Sequence, residues 1–138
     1  MKFYKCNVCG QIVASVKDTG APMTCCNEEL KVIVPHTVDF EGNEKHIPII
    51  KKGNGKVVIS VGSIPHPSTE EHFIEWIAIV TNKGNQRKML KPGDEPKVTF
   101  QVAKDEHLID VFVYCNLHSL WRKHVRSEAP DPDWVTDY

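Results

Sequence analysis

The sequence predicts a mainly β protein in two parts, a small metal-stapled unit followed by an antiparallel β-sandwich. Three observations carry this reading. Four of the five cysteines fall within the first 26 of 138 residues. From about Val38 the chain consists of short runs rich in Val, Ile, Phe and Thr separated by turn residues, and no segment holds a helical period. A chain of this length has room for one moderate core, or for a smaller core and a knob held by a metal.

In the first part, "CNVC" sets Cys6 and Cys9 two residues apart, and "CC" supplies Cys25 and Cys26 after fifteen more. Two thiolates at that spacing can grip one ion from a tight turn, which Gly10 eases by tolerating positive φ. Four thiolates form a closed tetrahedral set suited to zinc or iron. Five cysteines, two of them adjacent, would make an awkward disulfide framework, so metal ligation in a reducing compartment is expected. Adjacent ligands must strain the backbone between them, so a distorted site is expected at Cys25 and Cys26. Between the ligands "QIVASVK" suggests a short strand, Gly20 and Pro22 a turn, and "ELKVIV" a returning strand. The unit, taken as residues 1–37, is too short to hold itself together by apolar burial alone.

The second part, residues 38–138, carries the runs "HIPIIKK", "KVVISVG", "FIEWIAIVT", "KVTFQVA" and "LIDVFVYC", with "KGNGK", "NKGNQ" and "KPGDEP" as loops. Several short strands at this spacing predict a sandwich. The tail "SEAPDPDWVTDY" has the proline and acid content of an extended surface end, and no function is assigned to it. Seventeen Lys and Arg against eighteen Asp and Glu leave a formal charge of −1, which disfavours nucleic acid as a partner. The longest apolar run, Trp76 to Val80, is far too short to span a membrane, and "MKFYKCNVCG" lacks a secretory apolar stretch. A soluble cytoplasmic protein is expected.

Seven histidines are unevenly placed. His46 stands in "GNEKHIP", His66 and His72 in "GSIPHPSTEEHF", and His118 in "YCNLHSLW" beside the isolated Cys115. Taken singly, each reads as an ordinary loop histidine. Together they fall where strands give way to loops, so they can converge at one edge of a sandwich, and Pro65 and Pro67 restrict the backbone around His66. Four imidazoles and one thiolate would leave an octahedral metal one open position.

These motifs, in this order from about Phe3 to Lys123, closely resemble the desulfoferrodoxins, the two-iron form of superoxide reductase. The resemblance implies a desulforedoxin-like, rubredoxin-like Fe(Cys)4 centre at Cys6, Cys9, Cys25 and Cys26. It implies an immunoglobulin-like sandwich with a ferrous centre at His46, His66, His72 and His118, and Cys115 as axial ligand. The implied reaction is superoxide plus one electron and two protons giving hydrogen peroxide, without oxygen. The resemblance further implies Lys45 as the cation that attracts superoxide and helps supply protons, and Glu44 as the carboxylate that closes onto the ferric iron. Rubredoxin-like donors and a homodimer complete the expectation.

Other chemistries fit parts of the same residue set. Blue copper uses one Cys and two His with a weak axial Met; four histidines, and no Met beside "CNLH", argue against it. A Cys115–His118 nucleophilic pair competes poorly with four histidines. An electron-transfer protein without substrate, and a zinc-ribbon module fused to an unrelated sandwich, are compatible with the same residues.

Overall fold

A computed structural model describes residues 1–37, 46–62 and 66–125. It divides into two compact units, Met1–Val34 and Pro35–Tyr138. None of the described residues forms a helix, so no helix is long and apolar enough to cross a membrane.

The first unit contains five very short strands: β1 (Phe3–Lys5), β2 (Ile12–Ala14), β3 (Thr24–Cys25), β4 (Glu28–Glu29) and β5 (Lys31–Val32). β1 lies between β2 and β5, antiparallel to both, and β3 pairs with β4 as a separate hairpin. Its apolar interior is slight. Of its hydrophobic residues only Phe3 and Cys6 are buried, while Val8, Val16 and Val34 are exposed. Such a unit needs a cross-link beyond apolar burial.

The second unit is an immunoglobulin-like sandwich. Its strands are β6 (His36–Thr37), β7 (Pro48–Gly53), β8 (Lys56–Val61), β9 (Ile74–Thr81), β10 (Gly84–Met89), β11 (Lys97–Gln101), β12 (Leu108–Cys115) and β13 (Ser119–His124). One sheet runs β10-β9-β12-β13-β6 and the other β11-β8-β7. Among the described residues every pairing in this unit is antiparallel except that of β13 with β6, which is parallel. β7 turns into β8 through Asn54 and Gly55, both at positive φ (53° and 70°), the combination of a type I′ hairpin. Period-two alternation turns Val57, Ile59 and Val61 of β8, Val98 and Phe100 of β11, and Val111, Val113 and Cys115 of β12 toward one shared core.

A bulge shapes the end of the β9–β12 ladder. Tyr114 pairs with Trp76, but Cys115 pairs with Ile74, so Glu75 is an extra residue on β9. Ile74 and Ile77 consequently both face the core, and β9 bends just after the segment carrying His72.

Several elements differ from the expectation, the two-residue β3 and β6 among them. Residues 84–86 of "NKGNQ" belong to β10, an exposed edge strand with a polar, charged sequence, GNQRKM, that carries no alternation to read. Charges on an edge of this kind block pairing with another chain. β13 and β1 were not expected as strands: β13 mixes Leu120 and Trp121 with Arg122, Lys123 and His124, and β1 has three residues. The tail after Val125 lies outside the described residues.

Ile77 is wholly buried between the sheets. Ile77→Ala should lower the unfolding free energy by about 2–5 kcal/mol in chemical denaturation. A loss under about 1 kcal/mol would contradict close packing at that point.

Candidate metal centres

The four N-terminal cysteines converge, each offering a sulfur, with all four sulfurs within 4.8 Å of one another. Cys6 and Cys9 sit on the loop between β1 and β2, closed by Cys6 N–H donating to Gln11 O and Gly10 N–H to Cys6 O, both at 2.9 Å. Gly10 has φ 80°, as this turn requires. Cys25 ends β3, and Cys26 with Asn27 makes the turn into β4 at φ 53° and 61°. Asparagine tolerates the left-handed region, so the cost falls on Cys26, at roughly 1–2 kcal/mol.

The spacing fits one ion. Four sulfurs about 2.3 Å from a tetrahedral ion stand about 3.8 Å apart. Cys9 Sγ is 3.6 Å from Cys25 Sγ, which is 3.9 Å from Cys26 Sγ. The thiols are also driven apart in acidity. Backbone N–H groups of Cys9 and Val8 directed at Cys6 pull its pKa down to about 7, whereas hydrogen bonding with the Cys6 and Cys9 thiols pushes Cys25 up to about 12. Three or four thiolates so close together are stable only around a cation.

The second cluster forms at one end of the sandwich. His46, His66, His72 and Cys115 offer donor atoms that all lie within 4.8 Å of one another, and His46, His66 and Cys115 are buried. His118 joins them. Its Nδ1 is 3.2 Å from His46 Nε2 and 3.7 Å from Cys115 Sγ. The four imidazoles mark the corners of a near-square, with sides His46–His66 4.9 Å, His66–His72 4.6 Å, His72–His118 5.0 Å and His118–His46 4.8 Å between ring centres. The His46–His72 diagonal is 6.5 Å. Adjacent rings are tilted by 66–78°, as edge-to-face neighbours.

Local structure explains the convergence. Cys115 closes the inward-facing row of β12, and residues 116–118 turn the chain into β13, where Ser119 takes φ 66°. Cys115 and His118 are thus at the base and tip of one hairpin. His66 Nδ1 lies 2.7 Å from Pro67 O, so this nitrogen carries the proton and the buried Nε2 presents a lone pair. Trp121 stacks on His46 at 4.5 Å and 4°, and its Nε1–H donates to His118 O at 3.2 Å. Sequence reading missed Trp121. Its one available signal was an aromatic three residues beyond His118.

Burial, and then the neighbouring imidazoles, lower the His46 pKa to about 4, so the ring is neutral and free to ligate at neutral pH. Burial pushes the Cys115 thiol up, partly opposed by backbone N–H groups of His118 and Leu117. Glu44 and Lys45 lie outside the described residues.

A family model described as desulfoferrodoxin matches residues 38–124, and one described as the desulfoferrodoxin N-terminal domain matches residues 1–33. The chain belongs to the desulfoferrodoxin family. It is 44% identical over 122 residues to a desulfoferrodoxin homolog of Archaeoglobus fulgidus, covering 88% of this chain and 95% of the relative. A superoxide reductase of Pyrococcus horikoshii is 37% identical over 108 residues, covering 65% of this chain and 92% of that protein. Among solved structures, the superoxide reductase from Treponema pallidum superposes with a TM-score of 0.75 at 32% identity, covering 88% of this chain and 96% of the other. The two clusters correspond to the two iron centres of a desulfoferrodoxin, one tetrathiolate and one of histidines with a thiolate. The second donor set also fits one ion: cis nitrogens 2.0–2.1 Å from a metal stand about 2.9 Å apart, close to the 3.2 Å between His46 and His118.

In the metal-free desulfoferrodoxin fold, His46 takes no proton until pH nears 4, whereas an unfolded histidine titrates near 6.5. Between those values the unfolded chain binds the extra proton, so stability falls as pH drops through this window. Urea midpoints of iron-free protein should therefore decline from pH 7.5 to 5, and His46→Gln should flatten the decline. A midpoint independent of pH would contradict a buried neutral His46.

Proposed function

We infer that the protein is a superoxide reductase, reducing superoxide by one electron to hydrogen peroxide without releasing oxygen. The observation that carries this is the near-square of four imidazoles with a buried cysteine beside it, in a chain of the desulfoferrodoxin family. We propose His46, His66, His72, His118 and Cys115 as the ligands of the catalytic iron, and Cys6, Cys9, Cys25 and Cys26 as those of the tetrathiolate iron. The two functional parts are residues 1–37 and 38–138.

Ferrous iron, held by these five donors, would supply the electron that superoxide takes up with two protons. The protein's residues set the conditions. The Cys115 thiol loses its proton on metal binding, and thiolate donation raises the electron density available to the substrate. Neutral imidazoles leave the net charge of the site positive enough for an anion to enter. Lys45, adjacent in sequence to His46, attracts superoxide, and its ammonium helps deliver protons through water. Glu44 is the carboxylate that closes on the site after turnover. The tetrathiolate set has no open position, which suits electron transfer or structural support.

The family resemblance supports a cytoplasmic homodimer that receives electrons from a small rubredoxin-like protein. Stopped-flow mixing with superoxide tests the activity, with peroxide expected and oxygen absent. Oxygen at half the peroxide yield or more would instead indicate dismutation.

Because the ligand sets come from separate segments, Cys25→Ser should abolish the tetrathiolate spectrum while one iron per chain and rapid superoxide consumption remain. Loss of reactivity with the histidine site still loaded would show that the centres are not separable.

Lys45→Ala should slow the bimolecular encounter roughly tenfold or more and weaken its dependence on salt. Glu44→Ala should leave that step nearly intact and alter the spectrum of the resting ferric site. An unchanged encounter rate in Lys45→Ala, with both irons retained, would remove Lys45 from the steering role.

A further inference from the structure

Asn116 stands between Cys115 and His118 on the β12–β13 turn and makes three hydrogen bonds to the chain on either side of His72. Its backbone N–H donates to Phe73 O at 3.2 Å. Its Oδ1 accepts from Phe73 N–H at 3.0 Å, and its Nδ2–H donates to Glu71 O at 3.0 Å. From the other side, Thr69 holds the main chain of His72 itself. His72 N–H donates to Thr69 Oγ1 and O at 3.1 and 3.2 Å, and Thr69 N–H donates to His72 O at 2.9 Å. The backbone around His72 is thereby fixed, and the bonds that fix it on one side come from the hairpin carrying Cys115 and His118.

The same three-bond clamp occurs once more among the described residues, at the other end of the β9–β12 pair. Asn82 N–H donates to His107 O at 3.2 Å, its Oδ1 accepts from His107 N–H at 2.8 Å, and its Nδ2–H donates to Asp105 O at 3.0 Å. Each asparagine follows one strand and grips the residues preceding its neighbour. The seven-residue step along β9 separates Asn82 from the histidine end by roughly 24 Å. The two clamps are matched in bond count and kind, and differ in that only Asn116 joins segments bearing the proposed ligands.

We propose that Asn116 is a positioning residue for the catalytic iron, holding His72 in register with Cys115 and His118 so that donors from two segments approach the metal as one unit. This rests on the ligand assignment given above for that site. Removing the amide leaves Phe73 N–H and Glu71 O without their side-chain partners and frees the His72 segment to shift. Outer partners that orient ligands change metal affinity by about 10–100-fold when removed.

The test compares Asn116→Ala with Asn82→Ala in the full-length protein loaded with ferrous iron, measuring iron release from the histidine site to a ferrous chelator and the reduction potential of that site. Both variants should lose similar thermal stability. Only Asn116→Ala should release iron about 10–100-fold faster than wild type and shift the potential; equal release from the two variants would overturn the proposal. If Asn116→Ala does not fold, Asn116→Asp keeps the acceptor for Phe73 N–H and sets a carboxylate oxygen against Glu71 O. It should release iron several-fold faster than Asn82→Asp, and parity between them overturns the proposal equally. Wild-type protein that loads iron only at the cysteine cluster would sink the ligand assignment itself, a result distinct from parity of the variants.

Discussion

The histidine end of the sandwich depends on Cys115 facing inward. Alternation along LIDVFVYC places Val111, Val113 and Cys115 on one face of β12, and the thiol is fully buried at the end of that row. A one-residue slip of β12 would send it to the opposite face with Tyr114. The bulge at Glu75 sits against this position and absorbs the mismatch between β9 and β12 where the chain must bend toward His72. The buried Cys115 thiol, its pKa raised by burial, lies beside the buried His46 ring, whose pKa burial lowers, so two donors of the cluster are held neutral. Burial of so much ligating capacity is costly unless a cation completes it.

What could be read from the sequence follows from which faces are buried. β8, β9, β11 and β12 carry apolar residues on at least one whole face, and their runs stand out as strands. β10 is exposed on both faces, so its polar residues give no alternation although the ladder with β9 runs through all six of its residues. The parallel pairing of β6 with β13 involves two residues on each strand, too little to leave a pattern. The metal residues were legible because thiols and imidazoles are chemically distinctive. Asn116, Trp121 and the Pro67 carbonyl were not: an asparagine in a turn, a tryptophan in a strand and a backbone oxygen look ordinary until their partners are known.

The two units reach a bound metal by different physical routes. The sandwich has an extensive apolar core, and its ligands hang from strand ends that this core holds in place. The first unit buries Phe3 and Cys6 and little else, and it keeps the ligand Cys26 at positive φ. There the cross-link carries much of the fold, and removing the ion leaves thiols of unequal acidity crowded against one another.

The sequence separation of the ligands also orders events during synthesis. All four sulfurs of the first cluster are present once residue 26 has emerged, and a ribosome adds the next hundred residues over several seconds or more. His46 and His118, whose ring nitrogens end 3.2 Å apart, are 72 positions apart in the chain. The square therefore cannot close until the β12–β13 hairpin has left the exit tunnel and β9 has found β12, a non-local pairing of the kind that folds slowly. A nascent chain thus offers iron a complete sulfur site first and a complete nitrogen site last, so early in translation the tetrathiolate set competes for scarce metal without a rival in the same chain.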